Sequence, residues 1–226
     1  MKMLALLLLS AAASASAQQT STDTISFRLD RQGTPIPSYT LTVHADGRTT
    51  YQVSYPPEVP KYSPYAESIK ALPNTDVTMN VTLSPAGTAR IFDLVHSTNG
   101  FRLGCASKAK HIADTGTKTL TYTASSGPAT CAYNFTEDKT ILALNNTFQA
   151  IALTLDEGRK LETSHRYDRL ALDPETEFLV ASTRQGTAIE LGTIAPILHA
   201  IADDPQVLER VRARAATLLA QAAVNP

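Results

Sequence analysis

Tryptophan is absent from the 226 residues, and cysteine occurs only twice. Without tryptophan the chain lacks the usual stacking ring of a carbohydrate platform. Neither sign of charge is in excess: 20 Lys and Arg against 21 Asp and Glu leave a net charge of -1. No basic surplus exists to neutralise a phosphate backbone, which argues against a nucleic-acid partner. No apolar run after the first residues reaches the roughly 18 needed for a transmembrane helix. The five histidines (His44, His96, His111, His165 and His199) show no metal-ligand spacing. Asp93 with His96, and His199 with Asp203, could each share a helix face, but two ligands fall short of a metal site. There is no G-x-S-x-G elbow and no phosphate-cradling glycine loop, so no cofactor or metal is expected.

What is present begins with an address. Lys2 precedes the apolar run Met3 to Leu9, and small residues follow, ending in Ala15-Ser16-Ala17. That is the pattern of a cleaved export signal over residues 1–17, with a mature chain starting near Gln18 and a periplasmic or secreted destination. In an oxidising compartment Cys105 and Cys131 are expected to be joined. Closing that loop would stabilise the fold by about 3 to 4 kcal/mol through the entropy of the unfolded chain.

The periodicity then sets out the elements. Ile25, Phe27 and Leu29 alternate with polar neighbours, as do Leu41 and Val43. Asp46-Gly47 predicts a hairpin between strands 39–44 and 49–55. Pro56, Pro57, Pro60, Pro64 and Pro73 predict a long loop, partly polyproline-like. Alternation resumes from Val77 to Leu83. Ser84-Pro85 then opens a helix with Ile91, Leu94 and Val95 on its apolar face, and Asn99-Gly100 ends it. Strands at 117–123 and 129–135 flank a Ser125-Ser126-Gly127-Pro128 turn. Ile141, Leu144, Phe148, Ile151 and Leu155 form one stripe of a helix running from Asp138 to Gly158.

Beyond residue 162 only helical patterns occur. They cover 164–172, Asp173-Pro174 to Gly186, a segment marked by Ile194, Ile197, Leu198 and Ile201, and a last helix capped by Asp204-Pro205. These stacked pairs resemble one unit of a HEAT-type solenoid. One pair cannot bury both its faces, so this tail is expected to pack on the sheet. The expected fold is therefore α+β: an antiparallel sheet with two packed helices over 24–161, then a helical subdomain over 162–223.

Residues 24–161 hold the Tyr39-to-Tyr55 hairpin turning at Asp46-Gly47, the Ser84-Pro85 helix, Asp114-Thr115-Gly116-Thr117 entering a strand, and a long closing helix. In this arrangement the segment resembles a family of exported bacterial domains of unknown function. The resemblance implies a fold and an exported bacterial setting but no activity.

Two segments could carry function. Tyr51, Tyr55, Tyr62 and Tyr65 alternate with prolines and carry Glu58 and Lys61. Tyrosine offers broad contact area at small entropy cost, and proline reduces the ordering penalty of binding, so this loop is the candidate surface for an envelope protein or polymer. Packing of the rings onto their own sheet is the competing reading. Asp114-Thr115-Gly116-Thr117 resembles the D-T-G-[ST] signature of aspartic peptidases, in which two carboxylates share a proton. The chain has one such string and no matching bracing segment, so a turn is the simpler reading of Asp114. Arg210, Arg212 and Arg214 on the last helix read as a solvated face. The leading expectation is an exported, non-catalytic binding or interaction module of the cell envelope. A hydrolase using Asp114 is the alternative.

Overall fold

A computed structural model describes residues 22–31, 33–34, 36–57, 62, 64–98, 101, 105–107, 109 and 113–224. The segment expected to be an export signal, Glu58, Lys61, Asn99-Gly100 and His111 lie outside the described residues. Thr24–Asp30 (β1), Ser38–His44 (β2), Arg48–Tyr55 (β3), Thr75–Thr82 (β4), Thr117–Ala124 (β5) and Gly127–Tyr133 (β6) form one antiparallel sheet in the order β4-β3-β2-β1-β5-β6. Helices and a C-terminal helical region complete an α+β architecture.

Period-two alternation gives the sheet two unlike faces. One inward row crosses all six strands as Met79, Tyr51, Leu41, Phe27, Leu120 and Cys131. One residue along, the outward row reads Asn80, Thr50, Thr42, Ser26, Thr121 and Thr130. Within it Thr50 donates to Asn80 (3.0 Å) and Thr42 to Ser26 (3.2 Å). Threonine supplies the branched shape strands favour while keeping this face wet. Gly47 turns the β2–β3 hairpin at a φ of 85°, and the Asp46 carboxylate accepts from the Arg48 amide (3.1 Å). The β5–β6 turn is tighter than the sequence suggests. Gly127 and Pro128 already belong to β6, an edge strand where a missing N–H is tolerated.

A short helix, Ala66–Lys70 (α1), interrupts the proline-rich loop. Pro85–Ser97 (α2) starts as expected, with Ser84 Oγ accepting from the Gly87 amide (2.9 Å). Asp138 caps Lys139–Tyr167 (α3) by accepting from the amides of Thr140 and Ile141. Phe148 of α3 stacks on Phe27 of β1, the ring centroids 5.2 Å apart. Cys105 and Cys131 are disulfide-bonded with a Cα–Cα distance of 5.9 Å, tying the segment before β5 to β6.

The expected end of α3 at Gly158 is wrong. The helix runs 29 residues, about 43 Å at 1.5 Å per residue, and absorbs the first four residues of the separate helix expected over 164–172. Gly158 serves close packing instead: a Cβ there would lie 2.4 Å from Cγ2 of Ile194. Ile194 ends the 3₁₀ turn Leu191–Ile194, which presses on α3 at that point.

Leu172–Arg184 (α4), Ala195–Asp203 (α5) and Glu209–Val224 (α6) complete the helical region. It docks through α3 and the start of α2. Thr154 Oγ1 donates to the Ile189 carbonyl (2.7 Å), and the Glu190 carboxylate accepts from the Ser84 amide (2.7 Å) and hydroxyl (2.9 Å). Asp204 caps a turn ahead of α6, which begins only at Glu209. Arg210 is 62% exposed, as a solvated face requires, whereas Arg214 is only 27% exposed. Both bind Asp173 of α4, at 2.6 Å each, and they hold its carboxyl down to about 2. No helix among the described residues is long and apolar enough to cross a membrane.

Alanine is the better helix former by about 1 kcal/mol, yet Gly158→Ala should destabilise the protein by about 1 to 3 kcal/mol through overpacking. Added to Ile194→Ala, the same change should be neutral or stabilising. Urea midpoints of the two single variants and the double variant measure this. A Gly158→Ala protein more stable than its parent would refute the packing role.

Candidate functional site

β1 and β3 end, and β2, β4 and β5 begin, at one end of the sheet. The last inward row there reads Val77, Val53, Tyr39, Leu29, Lys118 and Tyr133. One lysine stands among apolar and aromatic side chains. α3 crosses above this row, and two adjoining cavities open along it, sharing Leu29, Arg31 and Gln149 as lining.

The larger cavity, about 750 Å³, is a groove where the β1–β2 end, α3 and the turn after α4 meet. Leu29, Ile36 and Tyr39 form one wall, Leu153, Asp156 and Lys160 of α3 the other, and Gln185 and Thr187 the rim. Asp156 is buried and holds two phenols: the Tyr51 hydroxyl donates to its Oδ1 at 3.1 Å, and the Tyr55 hydroxyl donates to the same oxygen. The Arg159 guanidinium lies over the Tyr55 ring, 3.9 Å from its centroid. Burial raises the Asp156 carboxyl above the ordinary range. The two phenol hydrogen bonds and the charges of Lys160 and Arg159 oppose that shift without cancelling it. Lys160 itself pairs with the buried Glu157 carboxylate at 2.6 Å.

The smaller cavity, about 250 Å³, lies between the β5–β6 end and the first turns of α3. Lys118 is buried at its margin. Its ammonium donates to the carbonyls of Thr115 (2.9 Å), Gly116 (3.0 Å) and Asn134 (2.9 Å) and to Thr115 Oγ1 (2.6 Å). Burial lowers its pKa, and the neighbouring Arg31 charge adds to that, while Asp114 works the other way. Tyr133 is 5% exposed and its hydroxyl has no hydrogen-bond partner among the described residues. Burial pushes that phenol well above its usual range. On α3, Gln149 Nε2 donates to Asn145 Oδ1 (2.9 Å) and Asn145 Nδ2 to Asn146 (3.1 Å), a row of amides lining the two cavities.

The four tyrosines of the proline-rich stretch part company. Tyr51 is fully buried and Tyr55 half-buried, both held to Asp156, whereas Tyr62 and Tyr65 are 87% and 70% exposed. The loop carrying Tyr62 and Tyr65 leaves the same end of the sheet as the groove. Asp114 Oδ1 accepts from the Gly116 amide (2.9 Å), and Gly116 has a φ of 86°. Asn134 secures the intervening Thr115 through its amide (2.8 Å), so the D-T-G-T string is built as a turn into β5. His96 meets the Tyr122 hydroxyl (3.3 Å) and His165 meets Asp204 (2.9 Å). No group of three or more potential metal ligands exists among the described residues.

Lys118, Arg31 and Asp156 escape a reading by motif. Lys118 carries a signal nonetheless: it occupies an inward place in the alternation Lys118, Leu120, Tyr122. No family model, curated protein or solved structure matches the chain.

A carboxyl that holds its proton more tightly when folded makes folding less favourable as pH rises from the unfolded value, about 3.9, through the folded one. Across that window the parent should lose stability relative to Asp156→Asn, and above it the difference should be constant. Urea midpoints of both proteins from pH 3.5 to 8 test this, and a difference that never changes with pH would contradict it.

Proposed function

We propose that this protein is an exported, non-catalytic binding module of the bacterial cell envelope that holds its ligand in the groove beneath α3. The groove carries the reading: a concave space of about 750 Å³ where two layers of the fold meet, with apolar walls and a few fixed polar groups. Ligand sites have this make-up, and they favour such junctions. The exposed Tyr62 and Tyr65 add contact area at the same end of the sheet. The Cys105–Cys131 bond supports export, since such bonds persist in oxidising compartments. The bacterial setting rests on the resemblance of residues 24–161 described above.

Photo-crosslinking in cells tests this from three positions: Gln185 on the groove rim, Tyr62 on the loop, and Arg48 at the opposite end of the sheet. One discrete species should be captured from Gln185 and Tyr62 and not from Arg48. Capture from none of them, or equal capture from all three, would remove the groove as a binding site. Replacing both Tyr62 and Tyr65 by serine should weaken capture while leaving the unfolding free energy from urea titration within about 0.5 kcal/mol of the parent, as for other exposed positions.

A further inference from the structure

The smaller cavity has an unbalanced charge. Among the described residues no Asp or Glu lines it, while Arg31 and Lys118 both do. Lys118 has three N–H groups facing four protein oxygens, so its hydrogens are already taken and it acts as a fixed positive charge. The Arg31 guanidinium is different. It is exposed at the mouth and hydrogen-bonded by none of the described residues, while its stem packs against Gly116. Tyr133 lines the same space, and its hydroxyl, buried, has no hydrogen-bond partner among the described residues. A buried hydroxyl without a partner costs about 1 to 3 kcal/mol, and a ligand oxygen would relieve that cost.

We propose that this cavity binds the carboxylate of an organic acid, gripped by Arg31 and Tyr133 in the field of Lys118. A planar guanidinium matches a carboxylate in two parallel hydrogen bonds. One free guanidinium and one phenol suit a monoanion, whereas a phosphate dianion would call on donors that Lys118 has already spent. Leu29, Phe135 and Leu142 offer an apolar wall to the acid's body. Because the two cavities share Leu29, Arg31 and Gln149, that body can continue into the larger groove. The inference rests on the groove reading and specifies which end of the ligand is anchored, and by what.

Benzoate is the probe, with benzamide as its neutral counterpart and inorganic phosphate as the competing anion, each titrated into the full mature chain and followed by backbone amide NMR. Benzoate should shift the amides of Thr115–Lys118 and Tyr133–Thr136, and benzamide should not. Arg31→Gln should weaken benzoate by about tenfold to a hundredfold, the loss of a charged hydrogen-bond partner. Tyr133→Phe should weaken it by about fivefold. It should also keep or raise the melting temperature without ligand, because the hydroxyl it removes has no partner among the described residues. No benzoate binding, equal binding of benzamide, preference for phosphate, or undiminished binding by Arg31→Gln would each overturn the carboxylate site. If one of these occurs while Gln185 still captures its partner in cells, the groove reading stands and the anchoring anion alone is lost.

Discussion

The structure depends on a single uninterrupted helix. α3 lays one side on the inner face of the sheet, where Phe148 meets Phe27 and Asp156 takes the hydroxyls of Tyr51 and Tyr55. Its other side receives the helical region at Thr154 and Gly158. A glycine inside a helix costs about 0.5 to 1 kcal/mol relative to alanine. Here that loss admits Ile194 to the helix surface, and with it the buried apolar contacts of the 3₁₀ turn. The Glu190 side chain then reaches Ser84 at the start of α2, so the helical region is fastened to both helices that cover the sheet.

Features decided within a few residues were legible in the sequence. The Asp46-Gly47 hairpin, the Ser84-Pro85 start and the Asp138 cap are local hydrogen-bond solutions, and all occur where the chain announces them. Gly158 was misleading because a glycine that ends a helix and a glycine that admits a neighbour look alike in one dimension. A second signal was available. Asp156 and Glu157 carry the wrong sign for a helix C-terminus, whereas His165 and Arg166 suit the real last turn. Arg210 and Arg214 look solvated until α4 brings Asp173 to them, 37 and 41 positions away in sequence. No local pattern contains that contact.

The site was less legible than the fold, for the same reason. Four tyrosines close in sequence read as one surface, yet strand alternation sends Tyr51 and Tyr55 inward while Tyr62 and Tyr65 stay in solvent. The groove takes its polar groups from the segment after β1, from α3 and from the turn after α4, which meet only after folding. Lys118 and Asp156 are two of the places where charge breaks the inward pattern, and each lines one of the cavities. Lys118 is held by four oxygens of the protein and Asp156 by two phenols, so their positions are set in advance. Departures from local consistency at a concave surface are where function is expected to reside.

The continuity of α3 also governs how the groove can respond to an occupant. Many two-layer proteins grip a guest by swinging one part toward the other about a flexible joint, and part of the interaction free energy goes into that movement. Here the wall of the cleft and the spine shared by both layers are the same rod, leaving no obvious place for such a joint. A guest would meet a cleft already shaped to receive it, and selectivity would come from fit and charge alone.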